Sequence, residues 1–274
     1  STNQEIDKQY GLYENTNKDK FVVIPPSVEL KRFYPYNEKR EWNSEEKEIR
    51  EKIREELWRF FTNLNKPLIL SLCRPEKRKN ITGLIEAYGE DKELQKKANL
   101  AIFAGIRKDI TKMEDIEREV LTEILLMMDK YNLYGKMAVP KTHDVEDEVP
   151  ELYRITAETR GVFVNSAYNE PFGLTLIEAA SSGLPVVATN DGGPKDILNN
   201  LNNGELVDVS DSKNIANGIH KILDDEDKWI KYSGNGIERV KKYYSWEAHT
   251  DLYVEVINEV LSKVDRKTKT FIST

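Results

Sequence analysis

From Pro67 onward the chain alternates short apolar runs with amphipathic stretches, and few folds accommodate that pattern. The runs Leu68–Leu72 (LILSL), Leu100–Ala104 (LAIFA), Lys136–Val139 (KMAV), Val162–Asn165 (VFVN) and Val186–Thr189 (VVAT) have strand length. They are apolar on successive residues, so both faces of each strand must be covered. A weaker run lies at Gly204–Val207. Helical patterns separate them near 80–90, 114–131, 148–158, 173–182 and 213–223. The alternation predicts an α/β fold with a doubly wound, Rossmann-like parallel sheet. Such sheets bind ligands outside the carboxyl ends of their strands, so the residues after each apolar run carry the functional information.

Upstream, "NSEEKEIREKIREELWRFF" reads as a long helix capped by Asn43 or Ser44, with Glu45 and Glu46 at the positive end of its dipole. Ile49, Ile53, Leu57 and Phe60 form its buried stripe, and its alternating charges read as a solvated face. "FVVIPPSVEL" reads as a strand ended by Pro25 and Pro26. Trp246, His249, Tyr253, Ile257 and Val260 fall at helical spacing, on a terminal helix whose aromatic end needs something to pack on.

Composition removes several classes of function. A net charge of −7 argues against a nucleic-acid footprint, and no apolar run has membrane-spanning length. The single Cys73 excludes an internal disulfide and fits a reducing, cytoplasmic setting. His143, His220 and His249 lack ligand-type spacing, so a zinc site is not expected. His143 reads as a surface-loop residue, Cys73 as a buried strand-end thiol, and His220 and His249 as packing or surface residues. The chain opens on Ser rather than Met, which suggests processing or a piece of a longer protein.

Three strand ends carry chemistry. After LILSL, Arg74 is followed by Lys77, Arg78 and Lys79 ahead of a helix that Asn80 can cap. Cations beside a helix N-terminus make an anion site, because side chains and free amides converge on one ligand. After VFVN, Pro171 disfavours helix at Glu170 and places that acid in the loop, while Gly173 permits close backbone approach. Glu178 falls inside the following helix. Eight helical steps would separate the two acids by roughly 12 Å, against about 5.5 Å for a retaining hydrolase pair. Separate roles are therefore expected. After VVAT, Asp191, Gly192 and Gly193 form a turn with exposed amides, and Pro194 opens the next helix. A diphosphate joined to polyhydroxylated groups would use all of these. With no Gly-x4-Gly-Lys-Ser/Thr loop and no Gly-x-Gly-x-x-Gly after a strand, a nucleotide sugar fits better than an NTP or a dinucleotide.

The stretch "NEPFGLTLIEAASSGLPVVATNDGGPKDI" resembles the donor-binding signature of retaining GT-B glycosyltransferases of the sucrose-synthase and glycogen-synthase-like group, with its Glu-x7-Glu core. "LCRPEKRKNITGLIEAYGE", "MDKYNLYGKMAVPKTH" and "VPELYRITAETRGVFVNSAYNEPFGLTLIEAA" are more narrowly similar to the sucrose-phosphate synthases. The resemblance covers about residues 1–260; Ser27 departs from it where the family has Gly. It implies the C-terminal domain of a GT-B enzyme and metal-free transfer of glucose from UDP-glucose to fructose 6-phosphate with retention. By the same likeness Arg74 and Lys79 hold the donor diphosphate, and Phe172, Gly173 and Leu174 face phosphates and sugar. Glu170 lies by the hexose hydroxyls, Glu178 by the ribose, and Gly192 and Gly193 near the donor sugar. Arg74, Lys79 and Glu170 are thereby the expected catalytic residues.

The implied organisation is a tail of the N-terminal domain or linker at 1–20, a nucleotide-sugar-binding domain at 21–245, and a crossover helix and tail at 246–274. The acceptor site would lie in an N-terminal domain outside these residues. Alternatives are a GDP-mannose-dependent mannosylfructose-phosphate synthase and a non-catalytic nucleotide-sugar-binding module.

Overall fold

The structure is a computed structural model describing residues 6–15, 17, 20–37 and 41–272. Of the expected linker and tail, residues 1–5, 16, 18, 19, 273 and 274 lie outside the described residues. Six strands, β1 (Leu68–Cys73), β2 (Asn99–Ala104), β3 (Met137–Ala138), β4 (Val162–Asn165), β5 (Val186–Thr189) and β6 (Gly204–Val207), form one sheet in the order β3-β2-β1-β4-β5-β6. Every pairing in it is parallel. The helices are α1 (Ser44–Trp58), α2 (Ile81–Glu90), α3 (Lys92–Lys97), α4 (Asp115–Lys130), α5 (Glu148–Glu158), α6 (Leu174–Ser181), α7 (Gly193–Leu201), α8 (Ser212–Leu223), α9 (Glu226–Tyr243) and α10 (Trp246–Ile272).

Two apolar layers clothe the sheet, and the alternation of side chains along each strand assigns residues to them. Leu68, Leu70, Phe103, Phe163, Val186 and Ala188 pack with α1, α5, α6 and α7 on one face. Ile69, Leu100, Ile102, Val162, Val164 and Val187 pack with α2, α4 and α8 on the other. Strand order reverses between β1 and β4, so their carboxyl ends diverge and open a crevice.

Several expectations are corrected. KMAV pairs only at Met137 and Ala138, because the Lys136 amide already donates to Leu133 O at 3.0 Å and Pro140 has no N–H to give. Residues 21–27 form no strand; the proline pair has no amide donors, and Val28 alone bridges to Ser245. Helices α3 and α9 were not anticipated, although Asp91 and Asp225 cap them by accepting from Leu94 N and Lys228 N, both at 2.9 Å. Asn43 caps α1 in a reciprocal box with Glu46.

The supposedly solvated face of α1 contains the buried Arg50, which ion-pairs with Glu151 and Glu158 of α5. On α10 the aromatic end packs largely on itself. His249 stacks on Tyr253 and meets Trp246 edge-on, while Trp246 and Tyr253 stay more than half exposed. Among the described residues no helix is long and apolar enough to cross a membrane.

Candidate functional site

A cavity of about 670 Å³ opens at the carboxyl ends of the strands, within the range of small-molecule sites. Arg74, Lys79, Glu170, Phe172, Gly173, Leu174 and Glu178 all line it. Strand β1 delivers Cys73 and Arg74 to its floor, and a single 3₁₀ turn (Lys77–Lys79) swings Lys79 inward. That turn is anchored from the β4 side, where Ser166 Oγ donates to Lys79 O at 3.1 Å and Asn80 O at 3.0 Å. Asn80 occupies the N-cap position of α2 with φ 48° but does not cap with its side chain. It is buried and donates instead to Val209 O at 2.9 Å, so its polar group is consumed in joining two loops.

The cation cluster divides. Lys77 pairs with Glu119 and Arg78 with Glu76, both at 2.6 Å and outside the cavity wall. Arg74 pairs with Glu76 at 3.0 Å and is 74% exposed, whereas Lys79 is 13% exposed and lies 2.6 Å from Glu170 Oε2. Asn165, the last residue of β4, donates to the same oxygen at 3.2 Å. Beside this pair lies Gly173, the residue immediately before α6, whose φ of 84° suits a residue without Cβ. The first residues of α6, Leu174 and Thr175, also line the cavity and bring a helix N-terminus to it.

Glu178 sits one turn along α6 with a different set of neighbours. Its Oε2 accepts from the Tyr153 hydroxyl at 3.2 Å. Burial pushes its carboxyl above the usual range, while the Tyr153 hydrogen bond and the Arg32 guanidinium pull the other way. Arg32 also donates to Val145 O and Glu146 O, tying the loop before α5 to this wall. Each acid thus has its own surroundings: Lys79 and Asn165 contact Glu170, while Tyr153 contacts Glu178 and the Arg32 guanidinium acts on it only through its charge. The arrangement suits two contacts on one extended ligand better than one acid/base couple.

Gly192 and Gly193 are not in the cavity wall; they brace it from behind. Gly193 N–H donates to Glu170 O at 2.8 Å, and Gly192 bridges Glu170 as a parallel partner. At Gly192 φ is +90°, and a Cβ would lie 2.2 Å from Glu170 O. Gly192→Ala is therefore expected to cost about 2 kcal/mol or more of stability. The urea midpoint measures it; an unchanged midpoint would refute the bracing role.

His143 is buried, not on the surface as expected. It lies edge-on to Phe103, lines the cavity, and its Nδ1 has no hydrogen-bond partner among the described residues. Burial lowers its pKa, which favours the neutral ring at physiological pH. Cys73 is only partly buried, against the expectation of a buried thiol, and desolvation pushes its thiol up to about 12, which disfavours the thiolate. His220 bridges Asp91 and Asp224 on the surface, and His249 Nδ1 lies 2.8 Å from Pro25 O. Sequence reasoning missed Tyr153 and Arg32, which sit in stretches readable only as core helix and loop. Asn165 carried a signal: it is the polar end of an apolar strand. Among the described residues no three His, Cys, Asp or Glu side chains converge as a metal site would require.

Comparison with known proteins gives three kinds of likeness. The profile of the family described as "Glycosyl transferases group 1" matches residues 52–239. "Probable sucrose-phosphate synthase 4" of Oryza sativa subsp. japonica is 39% identical over 279 residues, covering 93% of this chain and 26% of the rice protein. The chain therefore spans about a quarter of the length of the curated relatives it matches. Among solved structures, sucrose-phosphate synthase from Thermosynechococcus elongatus superposes with a TM-score of 0.67 at 26% identity, over 88% of this chain and 52% of that one. HepE of Anabaena, crystallised in complex with UDP-glucose, shares the fold with a TM-score of 0.68 at 16% identity, over 89% of this chain and 59% of that one.

Proposed function

The chain belongs to the glycosyl transferases of group 1, and we propose that it is the donor-binding half of a sucrose-phosphate-synthase-like enzyme. The reaction is transfer of glucose from UDP-glucose to fructose 6-phosphate with retention, without a metal and in the cytoplasm. One observation carries the reading. Lys79, Glu170 and the start of α6 stand together at the switch point of the sheet, and Glu178 is held separately one turn away. A nucleoside diphosphate sugar has anionic and hydroxyl groups in that sequence. The likeness to the rice protein over nearly the whole chain supports the sucrose-phosphate synthase assignment.

In this reading Arg74, Lys79 and the α6 amides stabilise charge growing on the leaving diphosphate as the glycosidic bond breaks. Glu170 accepts hydrogen bonds from the hexose hydroxyls. Its own position depends on Gly192 and Gly193. Glu178 accepts from the ribose. Fructose 6-phosphate binds to a portion of the enzyme outside these 274 residues, and holding donor and acceptor face to face requires both portions.

Calorimetric titration with UDP, UDP-glucose, GDP and GDP-mannose in the presence of a chelator tests this. UDP and UDP-glucose are expected to bind, with little turnover when fructose 6-phosphate is added to this chain alone. Preference for GDP would transfer the site to a mannosyl donor. Absence of all binding, or metal-dependent binding, would overturn the reading, and robust synthesis by the chain would overturn the placement of the acceptor.

A further inference from the structure

We propose that Tyr153 is a positioning residue for the donor, holding the Glu178 carboxylate from inside the fold so that it can receive the ribose. The inference rests on the reading of Glu178 given above. Tyr153 belongs to α5, is fully buried, and packs in the apolar layer between Phe33 at 6.1 Å and Phe163 at 5.5 Å, ring centre to ring centre. Phenylalanine would fill that volume without a polar group to satisfy. The hydroxyl instead crosses to α6, where it donates to Glu178 Oε2. A buried hydroxyl needs a partner, and this one has a residue of the cavity wall.

The consequence for Glu178 is geometric first. With Oε2 committed to Tyr153, rotation of the carboxylate is restrained and the remaining acceptor positions stay directed to the ligand. A site pre-set in this way loses less freedom on binding. The protonation state is tied to the same bond. Burial raises the Glu178 pKa and the Tyr153 hydrogen bond lowers it, with the Arg32 charge acting in the same sense. The other charged or titratable groups lining the cavity are Arg74, Lys79, Glu117, Glu170 and His143, together with the Cys73 thiol. Loss of the hydroxyl therefore raises the pKa further, and the ionised acceptor is lost at a higher pH as the solution is acidified.

The test uses the full chain and two probes, UDP and inorganic pyrophosphate, titrated calorimetrically from pH 5 to pH 8. Tyr153→Phe is expected to weaken UDP about tenfold at neutral pH, as loss of one hydrogen bond to a charged group does. Pyrophosphate affinity should stay unchanged, and the acid fall-off of UDP binding should move to higher pH. Glu178→Gln should weaken UDP and leave only the fall-off set by UDP's own terminal phosphate, whose second pKa is about 6, and adding Tyr153→Phe to it should cost nothing more. Wild-type behaviour of Tyr153→Phe, equal loss of pyrophosphate, or additive losses in the double variant would each overturn the proposal. If Glu178→Gln alone leaves UDP affinity intact, the ribose reading itself fails, and the proposal with it. If Glu178→Gln weakens UDP while Tyr153→Phe is silent, only the positioning role fails.

Discussion

Replacing Lys79 by methionine, which keeps the stem and removes the ammonium, is expected to lower UDP affinity about 100-fold. The reason is its setting rather than its charge alone. Lys79 is sheltered and reaches the point where the first turn of α6, Glu170 and Asn165 meet. A charge-assisted contact to phosphate in such a place contributes about 1.5–3 kcal/mol, and 2.7 kcal/mol is a factor of about 100. Removing the ammonium also leaves Glu170, 12% exposed, without its ion-pair partner and facing an incoming anion. Arg74 is the contrast. It is largely in water and already paired with Glu76, so Arg74→Ala should cost about tenfold or less. Calorimetry with UDP on both variants checks the ranking, and an Arg74 effect equal to or larger than that of Lys79 would reverse the assignment of the phosphate contacts.

Glu151→Ala should be strongly destabilising although it lies away from the pocket, by about 3–5 kcal/mol. Glu151 is 1% exposed and takes Arg50 of α1 on one oxygen and Arg154 of its own helix on the other, the latter at 2.6 Å. Each guanidinium also lies over aromatic rings, Arg50 over Tyr36 and Trp42, Arg154 over Tyr34 and Trp42. Taking away the carboxylate leaves two cations enclosed with too little negative charge. The damage should reach the site, because Arg154 donates to Arg32 O at 3.1 Å and Arg32 braces the loop before α5. A lower urea midpoint with unchanged slope is the expected signature. An unfolding free energy within about 1 kcal/mol of wild type would mean that the network is dispensable.

The sheet was legible because its strands are buried on both faces and so stand out as apolar runs; KMAV was read too long only where turn bonding and a proline intervene. Helix α9 escaped because it is polar over most of its surface and docks through few residues. One of them is Trp229, whose Nε1 reaches Gly161 O. At the site, the residues that follow strands were visible since topology fixes where strand ends point. Their supports were not. Arg50 and Glu151 look like ordinary members of charged helix faces, and Tyr153 like a core aromatic; long-range pairing decides otherwise, across 101 residues for Arg50 and Glu151. His143 was misjudged for the same reason: being in a loop does not reveal that the loop folds back over Phe103.

The Lys79–Glu170 pair has a further consequence for how the pocket fills. In the proposed reading a diphosphate reaching Lys79 must displace Glu170 from it, so binding is expected to exchange one anion for another rather than to capture an anion on a bare cation. Lys79 has no loose atmosphere of salt ions to give up, and its sheltered position weakens screening. Affinity should therefore vary with ionic strength less steeply than the local cluster of Arg74, Lys77, Arg78 and Lys79 suggests. The exchange also imposes a threshold: a ligand must offer Lys79 more negative charge than one carboxylate does. A diphosphate is expected to pass it, and uncharged nucleosides and free sugars are expected to leave the pair undisturbed.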